Sequence, residues 1–193
     1  MKKKGLAVLL CLCMVVSLLP TTAQAAGTWT YYPKSETNTY GYIEQNGLRV
    51  GVRTEADEKV GENSPTNLMT GFGGDEIPDN MTTLDLTGTI NSSGTTYTIT
   101  EDGGTSGRYQ ITSVLLPNTV KRIRASAYQM AVLTSINFPS SLESIGHDAF
   151  NESDLKEADL SQTKITTLES STFYKCYSLT SVQLPSTLTT IKD

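Results

Sequence analysis

The chain reads as a β-rich solenoid, a stack of short coils with one parallel strand per repeat and short or helical turns between, preceded by a small region containing a β-hairpin. Three observations predict this. Apolar residues recur every 22 to 24 residues over 111–193, each period contains a short apolar-polar alternation, and Asn46-Gly47 separates two alternating runs upstream. A fixed period of this length marks a repeat architecture, in which neighbouring units bury each other's apolar faces.

The first residues are a targeting segment and stand outside the fold. MKKK is a basic n-region, GLAVLLCLCMVVSLL is an apolar run of fifteen, and TTAQA ends in the small-x-small pattern of a cleavage site. Cleavage is expected after Ala25, making 1–25 a signal peptide. Fifteen apolar residues fall short of the roughly 20 that a spanning helix needs, so no transmembrane segment is expected after cleavage. Cys11 and Cys13 follow Leu10 and Leu12, where a lipid-attachment signal wants a small residue.

Loss of Lys2, Lys3 and Lys4 takes the formal charge from −5 to −8. Such a surface repels nucleic acid and anionic lipid. Cys176 is then the one remaining cysteine, so no intrachain disulfide forms and packing must supply the stability.

Residues 26–80 read as an N-terminal region of strands and loops. In YGYIEQNGLRVGVRT (40–54), Leu48, Val50 and Val52 alternate with Arg49, Gly51 and Arg53 after the Asn46-Gly47 pair, the signature of a hairpin with a tight turn. ADEKVGENSPTN and GFGGDEIPDN are polar and carry Gly and Pro, so they read as loops. Residues 81–110 form a divergent capping unit: MTTLDL echoes the later LTSINF, and TTYTIT reads as a strand closing in EDGG.

The repeats occupy 111–193. Units open at Ile111, Leu133, Leu155 and Leu179, the last incomplete. The second runs Leu133, Ile136, Phe138, Leu142, Ile145, Phe150, and the first matches it with Ile111, Val114, Leu116, Val120, Ile123, Tyr128. The third keeps the order as Leu155, Ala158, Leu160, Ile165, Leu168, Phe173. Helix pairs are excluded because Pro117, Pro139 and Pro185 fall mid-unit. Ile136-Asn137-Phe138 alternates like a half-buried strand, and the SSLESI segment after it suits an extended stretch or one helical turn. Ala131, Ser153 and Cys176 are small residues three positions after each aromatic. Stacking makes every inward Leu or Ile part of a common core, contributing about 1.5–3 kcal/mol when fully buried.

The pattern L-x-x-I-x-F-P-x-S-L-x-x-I-x-x-x-A-F over 111–193 resembles the BspA-like, or Treponema-type, leucine-rich repeat of bacterial and protist surface proteins. The resemblance implies a curved leucine-rich-repeat solenoid, secretion or surface display, and roles in adhesion or protein binding; it implies no catalytic residues. The third unit departs from it, with Ser161 in place of the proline and Ala158 at a core position, so irregular packing is expected there.

Chemistry elsewhere in the sequence is thin, and neither an enzyme nor a cofactor is expected. His147 is the single histidine, and Gly71, Gly73 and Gly74 are read as neither following a strand nor preceding a helix, unlike a phosphate cradle. Glu55, Asp57, Glu58, Asp75, Glu76 and Asp79 lack the regular spacing of a calcium loop and read as solvated loop residues. LPSTL (184–188) and LPNTV (116–120) resemble a wall-sorting LPxTG signal, but Leu188 and Val120 stand where Gly belongs.

The function expected is an exported or cell-surface module that binds a protein or glycan. The alternative is a spacer or stalk of a larger surface protein whose activity lies outside this chain. If Ile136 and Phe138 point inward, a strand's period of two turns Ser135 and Asn137 outward. The candidate ligand face is therefore Ser113, Leu115, Ser135, Asn137, Glu157, Asp159, Ser181 and Gln183, with Leu115 an exposed apolar contact and Glu157 with Asp159 an acidic centre. The fourth unit stops before its aromatic, so further repeats or self-association through this uncapped end are expected.

Overall fold

A computed structural model describes residues 27–36, 40–60, 64–71, 76–105 and 110–193. The leader, its cleavage after Ala25, and Gly73, Gly74 and Asp75 lie outside the described residues. No described helix is long and apolar enough to cross a membrane.

The N-terminal region is a small closed mixed sheet, more than the hairpin expected. Strands β1 (Gly27–Tyr32), β2 (Gly41–Gln45), β3 (Leu48–Thr54) and β4 (Asn67–Thr70) pair antiparallel in sequence. After β5 (Thr83–Asp85), strands β6 (Gly88–Ser92) and β7 (Thr95–Asp102) complete the circuit: β4 pairs parallel with β7, β7 antiparallel with β6, and β6 parallel with β1. Closure leaves no free edge among these six strands. The expected hairpin is present, with Gln45 opposite Leu48 and positive φ at Asn46 (51°) and Gly47 (80°), as a two-residue turn requires. Leu48, Val50 and Val52 face inward with Trp29, Ile43, Leu68, Ile90 and Ile99. The Trp29 indole Nε1 donates to the Thr87 carbonyl at 3.0 Å, so even this buried polar tip is satisfied.

The polar stretch after β3 is not wholly loop. Thr54 caps a single helical turn, α1 (Glu55–Glu58), by accepting from the Asp57 N–H. Glu55, expected in solvent, is buried, and its carboxylate accepts from Thr100 Oγ1 at 2.7 Å and Asn67 Nδ2 at 3.1 Å. It therefore joins β4 to β7 across their pairing.

The repeats form coils with two short parallel strands each, where one was expected. The first ladder holds β5, β8 (Ser113–Leu115) and β10 (Ser135–Ile136), then β12 (Glu157–Asp159) with β14 (Ser181–Gln183). The second holds β7, β9 (Arg122–Ile123) and β11 (Ser144–Ile145), then β13 (Thr167–Leu168) with β15 (Thr190–Ile191). SSLESI thus ends in a strand, with Ile145 inward and Ser144 on the outer face. Residues 81–102 supply the first rung of both ladders, through β5 and the end of β7.

Strand β7 belongs to both bodies. Its first residues pair with β6, its middle with β4, and Glu101 and Asp102 pair with Arg122 and Ile123 of β9. The chain leaves β7 through Gly104, whose φ is +77° and where a Cβ would lie 1.8 Å from the Ala127 carbonyl oxygen. Only glycine permits that approach. At the same junction the buried Asp102 carboxylate accepts from Tyr128 Oη at 2.5 Å and from Thr70 Oγ1 at 2.8 Å. Burial pushes this carboxyl above the usual carboxylate range despite the opposing hydrogen bonds, and burial likewise pushes the Tyr128 phenol up.

Inside the coils an aromatic column runs along the stack. Tyr128, Phe150 and Phe173 lie nearly parallel, with centroids 5.4 and 5.5 Å apart, and Phe138 meets Phe150 edge-on at 5.7 Å. The small positions sit beside it: Ala131, Ser153 and Cys176 are buried, and the Cys176 thiol donates to the Phe150 carbonyl at 2.9 Å. Each turn brackets its aromatic with two left-handed residues, Ser126 and Met130, then Asp148 and Glu152, then Ser171 and Lys175, with φ between 53° and 58°. These conformations cost non-glycine residues about 1–2 kcal/mol each. They also aim alternate amides at the next coil, so Ser126, Tyr128 and Met130 donate to the carbonyls of His147, Ala149 and Asn151.

Side-chain hydroxyls fasten successive coils on the strand side. Thr112 and Thr119 donate to the carbonyls of Thr82 and Ile99, Thr134 and Ser141 to those of Thr112 and Val120, and Thr180 and Thr187 to those of Lys156 and Ile165. The third coil has Lys156 and Lys164 at these two positions. Both ladders break there, between β10 and β12 and between β11 and β13. The backbone bond from Lys156 N to Thr134 O stretches to 3.3 Å. The irregularity expected of the third unit appears as this break in both ladders, at the joint where both hydroxyls are absent.

Three outcomes follow from this packing. Phe150→Ala, which empties the middle of the aromatic column, is expected to lower stability by about 3–5 kcal/mol, measured as a lower urea midpoint; equal midpoints would refute the column. Replacing both Lys156 and Lys164 with Thr is expected to raise stability by about 1 kcal/mol per restored hydrogen bond, read from the same transition. Asp102, with its pKa raised in the folded state, contributes stability that is fully present below its unfolded pKa and is lost as pH rises through the folded value. Asp102→Asn is therefore expected to flatten the fall in stability with rising pH across that interval, followed by denaturant titration at several pH values.

Candidate functional site

The outward row of the first ladder carries the residues expected to meet a ligand, and its register is fixed by parallel pairing. Thr83, Ser113 and Ser135 stand in one row, Asp85 is opposite Leu115, and Glu157 and Asp159 are opposite Ser181 and Gln183. The residues between them, Val114, Ile136 and Ala158, are buried, which forces their neighbours outward. Ser135, Asn137, Glu157, Asp159, Ser181 and Gln183 are exposed, and Ser113 is half-buried.

Two of these residues differ from expectation. Leu115 is half-buried, since coils lie on both sides of it in the three-stranded part of the ladder. Asn137 faces outward, but its amide is committed to the preceding coil: Oδ1 accepts from the Leu116 N–H at 2.6 Å and Nδ2 donates to the Leu116 carbonyl at 2.9 Å. It acts as a clamp between strand ends. Asp159 turns back on its own chain, accepting from the Ser161 N–H at 3.0 Å, and hydrogen bonds from Ser161 hold its carboxyl below the usual carboxylate range. The acidic centre of Glu157 and Asp159 remains open to solvent on one face.

Other candidate chemistry is accounted for by structure. Lys34 pairs with Asp57, Arg53 with Glu58 and Arg49 with Glu76, so these loop acids serve ion pairs. Among the described residues no three His, Cys, Asp or Glu side chains come together as a metal site. Gly71 directly follows β4, contrary to the reading from sequence, but a Cβ there would lie 2.6 Å from Gly103 Cα; it is a packing contact. His147 is exposed beside Asp148, its Nδ1 3.0 Å from Oδ2, and Cys176 is in the core.

A cleft of about 420 Å³ lies on the second ladder, lined by Glu101, Arg122, Arg124, Ser144, His147 and Glu169 among others. Sequence reasoning passed over it because the second strand of each coil was not recognised. The pair Ser144-x-Gly146, small where Arg122 and Arg124 stand one coil earlier, was the signal available.

Known proteins share this geometry. Residues 106–193 match the family model described as the BspA type leucine rich repeat region, in six copies, and the units opening at 111, 133, 155 and 179 lie within that span. The pneumococcal vaccine antigen PcpA superposes with a TM-score of 0.56 at 20% identity, over 78% of this chain and 40% of that one. A leucine rich cell surface protein from Faecalibacterium prausnitzii A2-165 superposes with a TM-score of 0.51 at 19% identity, over 80% of this chain and 45% of that one. The chain thus spans less than half the length of either, and the likeness is one of fold. No curated protein shows a significant sequence match. With the repeat pattern, the stacked parallel rungs and the family match in agreement, residues 106–193 carry BspA type leucine rich repeats.

Proposed function

We propose that this chain is an exported, cell-surface binding module that engages a protein or glycan through the outer row of its first ladder. The observation that carries the reading is the exposure of polar side chains on the outer side of both parts of the ladder, Ser135 in the first and Glu157, Asp159, Ser181 and Gln183 paired in register in the second, over a stack whose inward residues repeat. A row of varied side chains on a repeating scaffold suits recognition without catalysis. The basic, apolar and small-residue order of the first 25 residues supports export, and the Faecalibacterium relative is a cell surface protein. The acidic centre at Glu157 and Asp159 favours a partner with basic side chains or a hydroxyl-rich glycan.

A second reading, a spacer within a larger surface protein, draws on the commitment of Asn137 and Asp159 to backbone partners. One variant separates the two. Leu115→Glu, Glu157→Lys and Asp159→Lys together, in a protein that still folds, are expected to abolish capture of a glycan-array or host-protein ligand by the parent. Unchanged capture would move the site off this face.

A further inference from the structure

The turn side of the stack carries a notch between the second and third coils, and a one-residue insertion builds one of its walls. In the first two units a single residue, Val132 or Asp154, separates the small position from the next opening leucine; in the third, Tyr177 and Ser178 stand there. The extra residue forms a bulge pinned at both ends. The Tyr177 N–H donates to the Lys175 carbonyl at 2.8 Å, and the Leu179 N–H to the Cys176 carbonyl at 3.0 Å. Tyr177 is thereby lifted off the core and is 88% exposed, more than any other large apolar side chain among the described residues. No described ring stacks on it, and no described group bonds its hydroxyl.

Beside it opens a space of about 280 Å³ lined by Glu152, Ser153, Asp154, Lys175 and Tyr177. Ser153 is buried with its hydroxyl 3.5 Å from the Cys176 sulfur, so recognition falls to the other four, all exposed. Glu152 and Lys175 are placed by the backbone: both have left-handed φ, 58° and 53°, and the Glu152 N–H donates to the Tyr174 carbonyl at 2.8 Å. Lys175 Nζ donates to Glu152 Oε1 at 2.8 Å and lies 5.3 Å from the Tyr174 ring centroid. An ammonium has three N–H groups and a carboxylate two oxygens, so the pair keeps a donor and an acceptor to offer. The Asp154 carboxylate bonds to no described residue.

Charge selects the guest. Both signs line the notch, so an anion meets two carboxylates and a cation meets Lys175. A neutral polyol meets neither penalty, because each hydroxyl donates to a carboxylate or accepts from the ammonium. Glu152 and Lys175 set an acceptor and a donor side by side, which suits two adjacent hydroxyls, and Asp154 adds a further acceptor. The Tyr177 ring supplies a flat, electron-rich face for the C–H side of a saturated ring.

We propose that this notch binds a neutral pyranose sugar, with Tyr177 as the stacking platform, Asp154 as an acceptor, and Glu152 with Lys175 bridging two adjacent hydroxyls. The site uses none of the residues of the first-ladder row, so either can fail without the other.

The test uses the full chain after leader removal, labelled for NMR and titrated with methyl glucoside, methyl galactoside and methyl mannoside. At least one is expected to give saturable shifts of the Asp154, Tyr177 and Ser178 amides. Tyr177→Ala is expected to remove these shifts, and Tyr177→Phe, which keeps the ring, to retain them. Asp154→Ala is expected to weaken binding about tenfold. Both positions lie outside the core, and the remaining amide spectrum reports that each variant is folded. Absence of shifts with all three glycosides, full binding by Tyr177→Ala, or loss of binding in Tyr177→Phe would overturn the proposal. Shifts from N-acetylarginine amide but from no glycoside would overturn it in favour of a cationic side chain.

Discussion

Everything in this molecule is indexed to the parallel pairing of β7 with β9. That register, Glu101 with Arg122 and Asp102 with Ile123, decides which residues of the second ladder turn inward, because a slip of one residue would exchange the two faces. It places Ile123 in the core and Arg122 beside Glu101 in a single step. The same strand closes the N-terminal sheet against β4 and β6, so the solenoid grows from an edge already held on its other side. Asp102, bonded to Thr70 in β4 and Tyr128 in the first coil, locks the junction with a buried polar contact that has little tolerance for misalignment.

The repeats were legible because their signal is redundant. Six apolar positions recurring over three units, and five of them in a fourth, outweigh any local ambiguity, and the aromatic column of Tyr128, Phe150 and Phe173 could be placed from spacing alone. The second strand of each coil was harder to see: two residues such as Ser144-Ile145 are too short for periodicity to distinguish strand from turn. The N-terminal sheet hid for a related reason. β1 and β4 sit beside the leader and polar loops and are completed by non-local partners, with Asn67 of β4 meeting Thr98, 31 residues away. Only the Asn46-Gly47 hairpin, whose instructions are local, announced itself.

The strand alternation gave the direction of the outer-row side chains, yet two members differ in character from what was expected. Alternation predicts the direction in which Asn137 and Leu115 leave the strand, and it says nothing about what they meet there. Asn137 finds the open strand end of Leu116 within reach, and Leu115 is shaded by neighbouring coils. Side chains at strand ends are the ones whose surroundings depend on the adjacent unit, so a single repeat read alone cannot fix them.

The two lysines of the third coil give the stack an articulation. On the turn side, the second and third coils remain joined by amides of Asp148, Phe150 and Glu152 donating to Ser170, Thr172 and Tyr174, backed by stacked aromatic rings. On the strand side the hydroxyl bonds are absent and both ladders are interrupted, with the backbone bonds from Lys164 N to Leu142 O (2.8 Å) and Lys156 N to Thr134 O (3.3 Å) remaining. Resistance to bending is therefore lopsided at this joint, weaker on the strand side than on the turn side. A solenoid pulled or flexed at its C-terminal coils would change curvature here first, turning Glu157 and Asp159 relative to Ser113 and Ser135, so the spacing of the outer row is a mechanical variable rather than a constant.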